Sequence, residues 1–393
     1  MLGVSDLHVD ARVRKQAAAL TRSGAQVTIV WVGPSAPEDL VAAGYDVRII
    51  ERFRVPRLGE ADIWWPLRVA VNLTYTKARE KWYLRKASSL ATLNGPALLD
   101  AAIAARPDVI HAHNIHTIAV GTRAKRISGA RVVYDCRDLF ADVEYYDEET
   151  RERLRSAEAA SIHEVDQTIV VSEVFADILS SRYGIPRPTV IYNGPDQVVP
   201  TPRPVHEPVR LFFQGAYRRN RNLGSLIEAM CILEGRATLT LQGFGRVEEE
   251  LRDMVARLSL SDVVTFVPPA APLDVVRSAA EYDVGVICYR GDSLNLESTV
   301  PNKLMDYLGA GLALAVSDLP GHRSVLEGTG AGIFIDPSDA GSIARDLARL
   351  IDDPERITGM KRAALETARR HEWSVQAGRL VRVYEGVLNR EAV

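Results

Sequence analysis

Residues Glu297 to Gly311 read ESTVPNKLMDYLGAG, and the assignment of the fold turns on them. They follow the apolar run Asp283 to Ile287, which reads as a buried strand, and a polar loop; they then open a helix. Pro301 suits a first helical turn, where its missing N–H is not needed and its φ is already helical. The backbone N–H groups left free there, together with the positive helix end, suit an anion such as a diphosphate. Asp306 lies about one and a half turns further on, within reach of a sugar hydroxyl beside that anion. Leu304 and Leu308, at i and i+4, face the core. An ordinary capped helix after a strand shares all these features, so the rest of the chain has to decide.

A chain of 393 residues exceeds one typical core, and two domains are the default. With 47% hydrophobic and 25% charged residues the composition is that of a globular protein, and a net charge of −3 gives no whole-chain reason to expect nucleic acid. The three cysteines, Cys136, Cys231 and Cys288, are far apart and form no CxxC. Cys231 and Cys288 sit in apolar surroundings and read as buried reduced thiols. Nothing resembles a signal peptide, and no apolar run approaches ~18 residues. These features point to a soluble protein of the cytosol. Met1 to Ser5 leaves only a few strand residues before the polar loop Asp6 to Asp10, whereas a first strand in such a sheet is usually longer, so the natural start is expected upstream.

Strands and helices alternate along the whole chain. Val13, Ala17 and Leu20 mark one helix face before Gly24, and Val27 to Val32 is a continuous apolar strand. Further strands are expected at Val47–Ile50, Val109–Ala112, Arg131–Tyr134, Thr168–Val171 and Thr189–Tyr192, with helices between them. Such alternation implies parallel βαβ units. The proline-rich PTPRPVHEP within 196–208 reads as a stiff linker. The alternation then restarts at Arg210 and closes with three helical runs, the last from Ser374 to Leu388. The expected fold class is α/β, with two doubly wound domains of similar size.

In open α/β sheets ligands bind beyond the carboxyl ends of the strands, which narrows the search to the βα loops. The loop Gln214 to Asn222 reads QGAYRRNRN: Gly215 ends a strand, and Arg218, Arg219 and Arg221 suit a diphosphate through paired hydrogen bonds, although a solvated basic loop would look the same. Gly243 and Gly245, in GFGR, form a lone GxG between strand and helix. Glu248 stands where a dinucleotide fingerprint needs its third glycine, and the next strand ends in Val267-Pro268 rather than an acid, which argues against a nicotinamide dehydrogenase.

In the first half, HAHNIH (His111 to His116) ends a strand, with His111 and His113 on the same side. No carboxylate or cysteine partner is near them in sequence, so metal ligation is not expected. His111 reads as a structural histidine, and His113, nearer the strand end, as a hydrogen-bond partner for a sugar. Asp10, Arg12, Asn114, Arg137 and Asp138 occupy the corresponding loops; they suit an acceptor or the cleft, and equally interdomain salt bridges. No Asp-x-Asp occurs, so a carboxylate-held Mg²⁺ on a diphosphate is not suggested. There is no Walker A and no Gly-x-Ser-x-Gly. Thr76 to Ala87, TKAREKWYLRKA, sets five basic residues beside Trp82 and Tyr83, shortly after Trp64-Trp65. It suits peripheral contact with an anionic membrane, at the inner face, or a solvated helix with its aromatics turned inward.

Taken together these segments resemble the retaining glycosyltransferases of family 4, which have the GT-B fold. The resemblance runs through DARVRKQAAALTRSGAQVTIV, PDVIHAHN, VVYDCRDLF and VIYNGPD, then LFFQGAYRRNRNLGSLIEAM, LTLQGFG and VPNKLMDYLGAGLALAVSD. EWSVQAGRLVRVYEGVL is similar to the helix that in this family returns to the first domain. The resemblance implies an acceptor-binding Rossmann-like domain over 1–195, a linker over 196–208, a donor-binding domain over 209–372 and a returning helix over 373–393.

It further implies that Arg221 grips a donor diphosphate, that Asp306 binds the nucleotide ribose and that His113 contacts the donor sugar. The backbone of Thr299, Val300, Pro301, Asn302 and Lys303 would lie against the diphosphate and sugar. Asp306 is one methylene shorter than the family's usual Glu. Ala216 stands where Arg is common, with Arg218 or Arg219 as the expected substitute. The first acid of the family's Glu-x7-Glu pair falls on Ser298, with Glu297 beside it. The expected activity is transfer of a sugar from a nucleotide-diphosphate sugar to a hydroxyl of a glycan, lipid-linked or small-molecule acceptor, with retention and without cofactor or metal. The alternatives are a nucleotide-sugar epimerase on the same fold, or a catalytically silent nucleotide-sugar-binding protein.

Overall fold

The computed structural model describes residues 1–4, 7, 10–50, 94–271 and 274–389. The basic stretch Thr76 to Ala87 lies outside these. By its internal contacts the chain forms two units: Met1–Val170, Ala176–Val190 and Leu380–Val393 make the first, and Val171–Phe175 with Ile191–Arg379 the second.

The first unit is built on a seven-stranded sheet. Its strands are β1 (Leu2–Val4), β2 (Thr28–Val32), β3 (Asp46–Ile50), β4 (Val109–His113), β5 (Arg131–Cys136), β6 (Gln167–Val170) and β7 (Thr189–Val190). They pair in parallel in the order β3-β2-β1-β4-β5-β6-β7. Ile29 to Val32 are all buried, as an unbroken apolar run requires when helices cover both faces of a sheet. The helix Ala11–Arg22 follows β1, capped by Asp10, whose carboxylate accepts from the Val13 amide at 3.2 Å. Its inward face is Val13, Ala17 and Leu20. Strand order reverses between β1 and β4, so the loops after these two strands share one edge of the sheet.

The second unit holds a six-stranded parallel sheet. Its strands are β8 (Val209–Gln214), β9 (Ala237–Gln242), β10 (Val264–Val267), β11 (Val284–Ile287), β12 (Ala313–Ser317) and β13 (Gly332–Ile335), in the order β10-β9-β8-β11-β12-β13. Here the reversal falls between β8 and β11. Leu211, Phe213, Leu239, Leu241, Val284 and Val286 form the centre of its core. The helix Ala340–Ile351 packs Ile343, Leu347 and Leu350 onto it. Both this helix and Pro354–His371 start at aspartate caps, Asp339 and Asp353, accepting from Ser342 N and Arg356 N.

Several elements differ from the sequence reading. The stretch 297–311 does not open one helix: a short helix, Leu294–Ser298, capped by Ser293, comes first, and the chain is then extended through Thr299 to Pro301. Pro301 is the cap rather than the first turn of the helix Asn302–Gly309. A proline keeps its predecessor out of the α region, which accounts for the break at Val300. Gly321 presses on the same segment, where a β-carbon would come within 2.3 Å of the Thr299 carbonyl oxygen. Short helices at Glu38–Ala42 and Pro320–Leu326 were not anticipated. Cys136 and Cys288 are buried, but Cys231 is exposed, because on its helix Leu226, Ile227 and Met230 take the inward face. Residues 196–208 carry no helix or strand and bond to the second unit: Val199 N donates to the Gly309 carbonyl, and His206 N to Asp283. No helix among the described residues is long and apolar enough to cross a membrane.

Candidate functional site

In the second unit the reversal between β8 and β11 brings one group of side chains together. Gln214, the last residue of β8, donates its side-chain amide to Asp306 Oδ2 at 2.9 Å and its backbone N–H to the Tyr307 hydroxyl at 2.8 Å. The middle of the helix Asn302–Gly309 is thereby strapped to the end of β8. Lys303, in its first turn, is buried, and its Nζ lies 3.7 Å from the centre of the Phe213 ring and 5.6 Å from that of Tyr289. Arg221 ends a 3-10 turn, Arg219–Arg221, and its Cζ stands 4.3 Å over the same Tyr289 ring. Asn222 follows in the left-handed region, tied by its side-chain amide to the Pro337 carbonyl, which fixes where Arg221 leaves the chain.

Two cations therefore share one aromatic ring, and among the described residues neither is ion-paired. Arg221 Nη1 is buried with no hydrogen-bond partner. Burial and the Arg221 charge push the Lys303 ammonium well below the ordinary lysine range, with Asp306 opposing. Such an arrangement is costly unless an anion completes it. His322 lies in the same region, its ring 5.9 Å from that of Tyr289. Burial holds it neutral, at about 4, and its Nδ1 is 2.8 Å from the Ser317 carbonyl, so that nitrogen carries the proton and buried Nε2 keeps a free lone pair.

Gly215 has φ +127°, and a β-carbon there would lie 3.0 Å from Lys303 Nζ. Gly243 and Gly245 serve close backbone approach: β-carbons on them would come within 2.1 Å of the Gly215 oxygen and 2.2 Å of the Tyr217 oxygen. The Gly243 amide donates to the Val267 carbonyl at 3.0 Å. Arg218 and Arg219 are exposed, and Arg219 pairs with Glu250 at 2.7 Å. The cation beside Gly215 is thus Lys303, reaching in from another element, rather than Arg219. Ser298 and Val300 are buried, Thr299 and Pro301 half-buried, and the Ser298 carbonyl accepts from Ser172 Oγ at 2.7 Å. Asn302 is exposed and accepts from the Asn193 amide.

In the first unit the centre is Asp135, which sequence spacing gave no reason to join to the histidines. It sits on β5 directly across from His113 on β4, and a strand neighbour is invisible to a search along the chain. Arg12 makes a two-pronged contact with its carboxylate, at 2.8 and 2.9 Å, and Gln16 adds an amide at 2.9 Å. His111 Nε2 and His113 Nδ1 each lie 3.5 Å from Asp135 Oδ2, and the two rings stack at 4.3 Å. Burial would raise the Asp135 carboxyl, but Arg12 and the histidines hold it well below the usual range. Burial and the neighbouring His111 push His113 down to about 3, so it is neutral. His111 Nδ1 meets the Tyr384 hydroxyl at 2.7 Å.

Arg137 reaches both oxygens of Asp10 at 2.8 Å, and its backbone N–H donates to Asn114 Oδ1. Asn114 is in the left-handed region, at φ +62°, and Asp138 is half-buried beside this group. Arg12 and Arg137 thus form salt bridges with Asp135 and Asp10 inside the first unit, not the interdomain bridges their loops suggested. His111, His113 and Asp135 are the group that, among the described residues, has the spacing to hold a metal ion. Asp135 is already committed on both oxygens to Arg12, so an ion there would compete with a guanidinium.

Comparison with known proteins follows the same division. Residues 9–197 match the family model for Glycosyltransferase Family 4, and residues 208–353 that for Glycosyl transferases group 1. A D-inositol 3-phosphate glycosyltransferase of Thermobispora bispora is 29% identical over 140 residues, 36% of this chain and 31% of the relative. The chain thus spans about a third of the length of the first curated relative it matches. Among solved structures, a glycosyltransferase from Rickettsia africae ESF-5 superposes with a TM-score of 0.69 at 13% identity, covering 99% of this chain and 98% of the other. Anabaena HepE in complex with UDP and glucose gives 0.70 at 14%, covering 98% of each. Two parallel sheets each reversing once, two family models matched in sequence order and whole-chain likeness to these folds agree: the chain belongs to glycosyltransferase family 4 and has the GT-B fold.

Proposed function

We propose that this protein is a retaining glycosyltransferase that moves a sugar from a nucleotide-diphosphate sugar to a hydroxyl acceptor without a metal ion. The observation that carries the reading is the pair Arg221 and Lys303, two cations over one tyrosine ring with no carboxylate paired to either among the described residues. Breaking an anomeric C–O bond leaves negative charge on a diphosphate. Fixed cations and the amides at the start of the helix Asn302–Gly309 are suited to stabilise that charge as it develops. Asp306, held by Gln214, is the acid placed for the ribose hydroxyls. His113, neutral and buried in the first unit, is the residue assigned to the donor sugar.

Same-face attack by the acceptor, with the leaving phosphate taking its proton, accounts for retention and asks for no carboxylate nucleophile. Three free cysteines support a cytosolic setting. The test is to incubate the protein with UDP-, GDP- and TDP-sugars. Release of nucleotide only when an acceptor is present, unaffected by EDTA and lost in Arg221→Ala, is the expected result, with the anomeric configuration of the product read by NMR. Nucleotide release in the absence of any acceptor, unchanged by Arg221→Ala, would remove the reading.

A further inference from the structure

Phe244 is the most exposed large hydrophobic side chain among the described residues, at 66%. A single exposed aromatic is ordinary on a protein surface; what sets this one apart is how it is held. It stands two residues beyond β9, between two glycines whose missing β-carbons let the loop lie directly on the backbones of Gly215 and Tyr217. The Phe244 carbonyl accepts from the Tyr217 amide at 2.9 Å, and the Gly243 amide is bonded to Val267 at the end of β10. The loop is pinned on both sides, and the one side chain it presents at its tip is a phenyl ring in water.

Its place relative to the two cations is equally fixed. Lys303 Nζ is 3.0 Å from the β-carbon position of Gly215, and the Gly215 oxygen is 2.1 Å from that of Gly243, the residue before Phe244. Adjacent strands lie ~4.8 Å apart and adjacent residues ~3.8 Å. Gly215 thus lies between Lys303 and Gly243, and Phe244 follows Gly243 at the carboxyl edge of the sheet, on the side of β8 away from β11.

We propose that Phe244 is the stacking platform for the base of the nucleotide whose diphosphate Arg221 and Lys303 hold, an inference that rests on the donor-site reading above. A ring in this role recognises a flat π-face rather than hydrogen-bonding edges, so it serves purines and pyrimidines alike.

Calorimetric titration of the full chain with UDP, GDP and inorganic pyrophosphate tests this. Phe244→Ala should weaken UDP and GDP by roughly tenfold or more and leave pyrophosphate within about twofold, while Phe244→Trp keeps nucleotide affinity. Unchanged nucleotide affinity in Phe244→Ala, or an equal loss for pyrophosphate, would overturn it. Wild-type protein that binds pyrophosphate as tightly as UDP or GDP would overturn the base platform and leave the anion site standing. Protein that binds none of the three would remove the donor-site reading itself, and the platform with it.

Discussion

Lys303 Nζ lies 3.0 Å from the point that a β-carbon on Gly215 would occupy. The glycine at the end of β8 is thus required twice, once for its φ of +127° and once for the ammonium that fills the space a side chain would take. Gly215→Ala should destabilise the protein by about 1–2 kcal/mol through its backbone alone and displace Lys303 as well. Urea denaturation reads the first effect and pyrophosphate titration the second.

Lys303→Met should separate stability from binding. Removing a buried charge that is ion-paired to no carboxylate among the described residues leaves the ligand-free protein as stable or more stable, by about 1 kcal/mol at neutral pH, while pyrophosphate affinity falls roughly tenfold. The pH dependence has a defined sign. Burial and Arg221 lower the folded lysine's pKa, so between that value and ~10.4 the unfolded chain binds more protons, and wild-type stability rises with pH across this window. The variant lacks that rise. Parallel thermal denaturation from neutral to alkaline pH measures the difference.

Asp135→Asn keeps the shape but removes the charge that Arg12 grips and two histidines face. Losing one partner of a buried pair costs about 3–5 kcal/mol, because the other is left uncompensated. A loss under about 1 kcal/mol in urea would mean that Arg12 finds another counter-charge.

His113 is held neutral with a folded pKa near 3, against ~6.5 when unfolded. Its contribution is complete above pH ~6.5 and is lost as pH falls toward 3, because only the unfolded chain takes up the proton in between. Wild type should therefore lose about 1.4 kcal/mol per pH unit more than His113→Gln over that range. Denaturant melts at pH 7, 5 and 4 check it.

Much of the framework is legible in the sequence, for physical reasons. Continuous apolar runs such as Ile29 to Val32 announce strands covered on both faces, and their alternation with helices implies the parallel sheets. Arg221 and Asp306 were each singled out from a loop or helix start that follows a strand, whereas Lys303 entered only as backbone implied by the family resemblance. What could not be read is which side chains meet across strands. Asp135 joins His113 through strand register, Lys303 joins Arg221 through Tyr289, and neither relation leaves a spacing to count. Gly243 and Gly245 read as a lone GxG in the sequence, and the close approach of the Gly215 and Tyr217 backbones that they permit is visible only in the fold. Pro301 lies one position from where helix-start statistics put it, as the cap after an extended segment against which Gly321, on another helix, packs closely.

The shared tyrosine ring has a practical corollary for anyone handling the protein. A pocket with two like charges, neither ion-paired among the described residues, will recruit whichever oxyanion the buffer offers, so phosphate, sulfate or citrate should raise the melting temperature and compete with pyrophosphate. Kinetics gathered in phosphate and in Tris would then describe two differently occupied proteins.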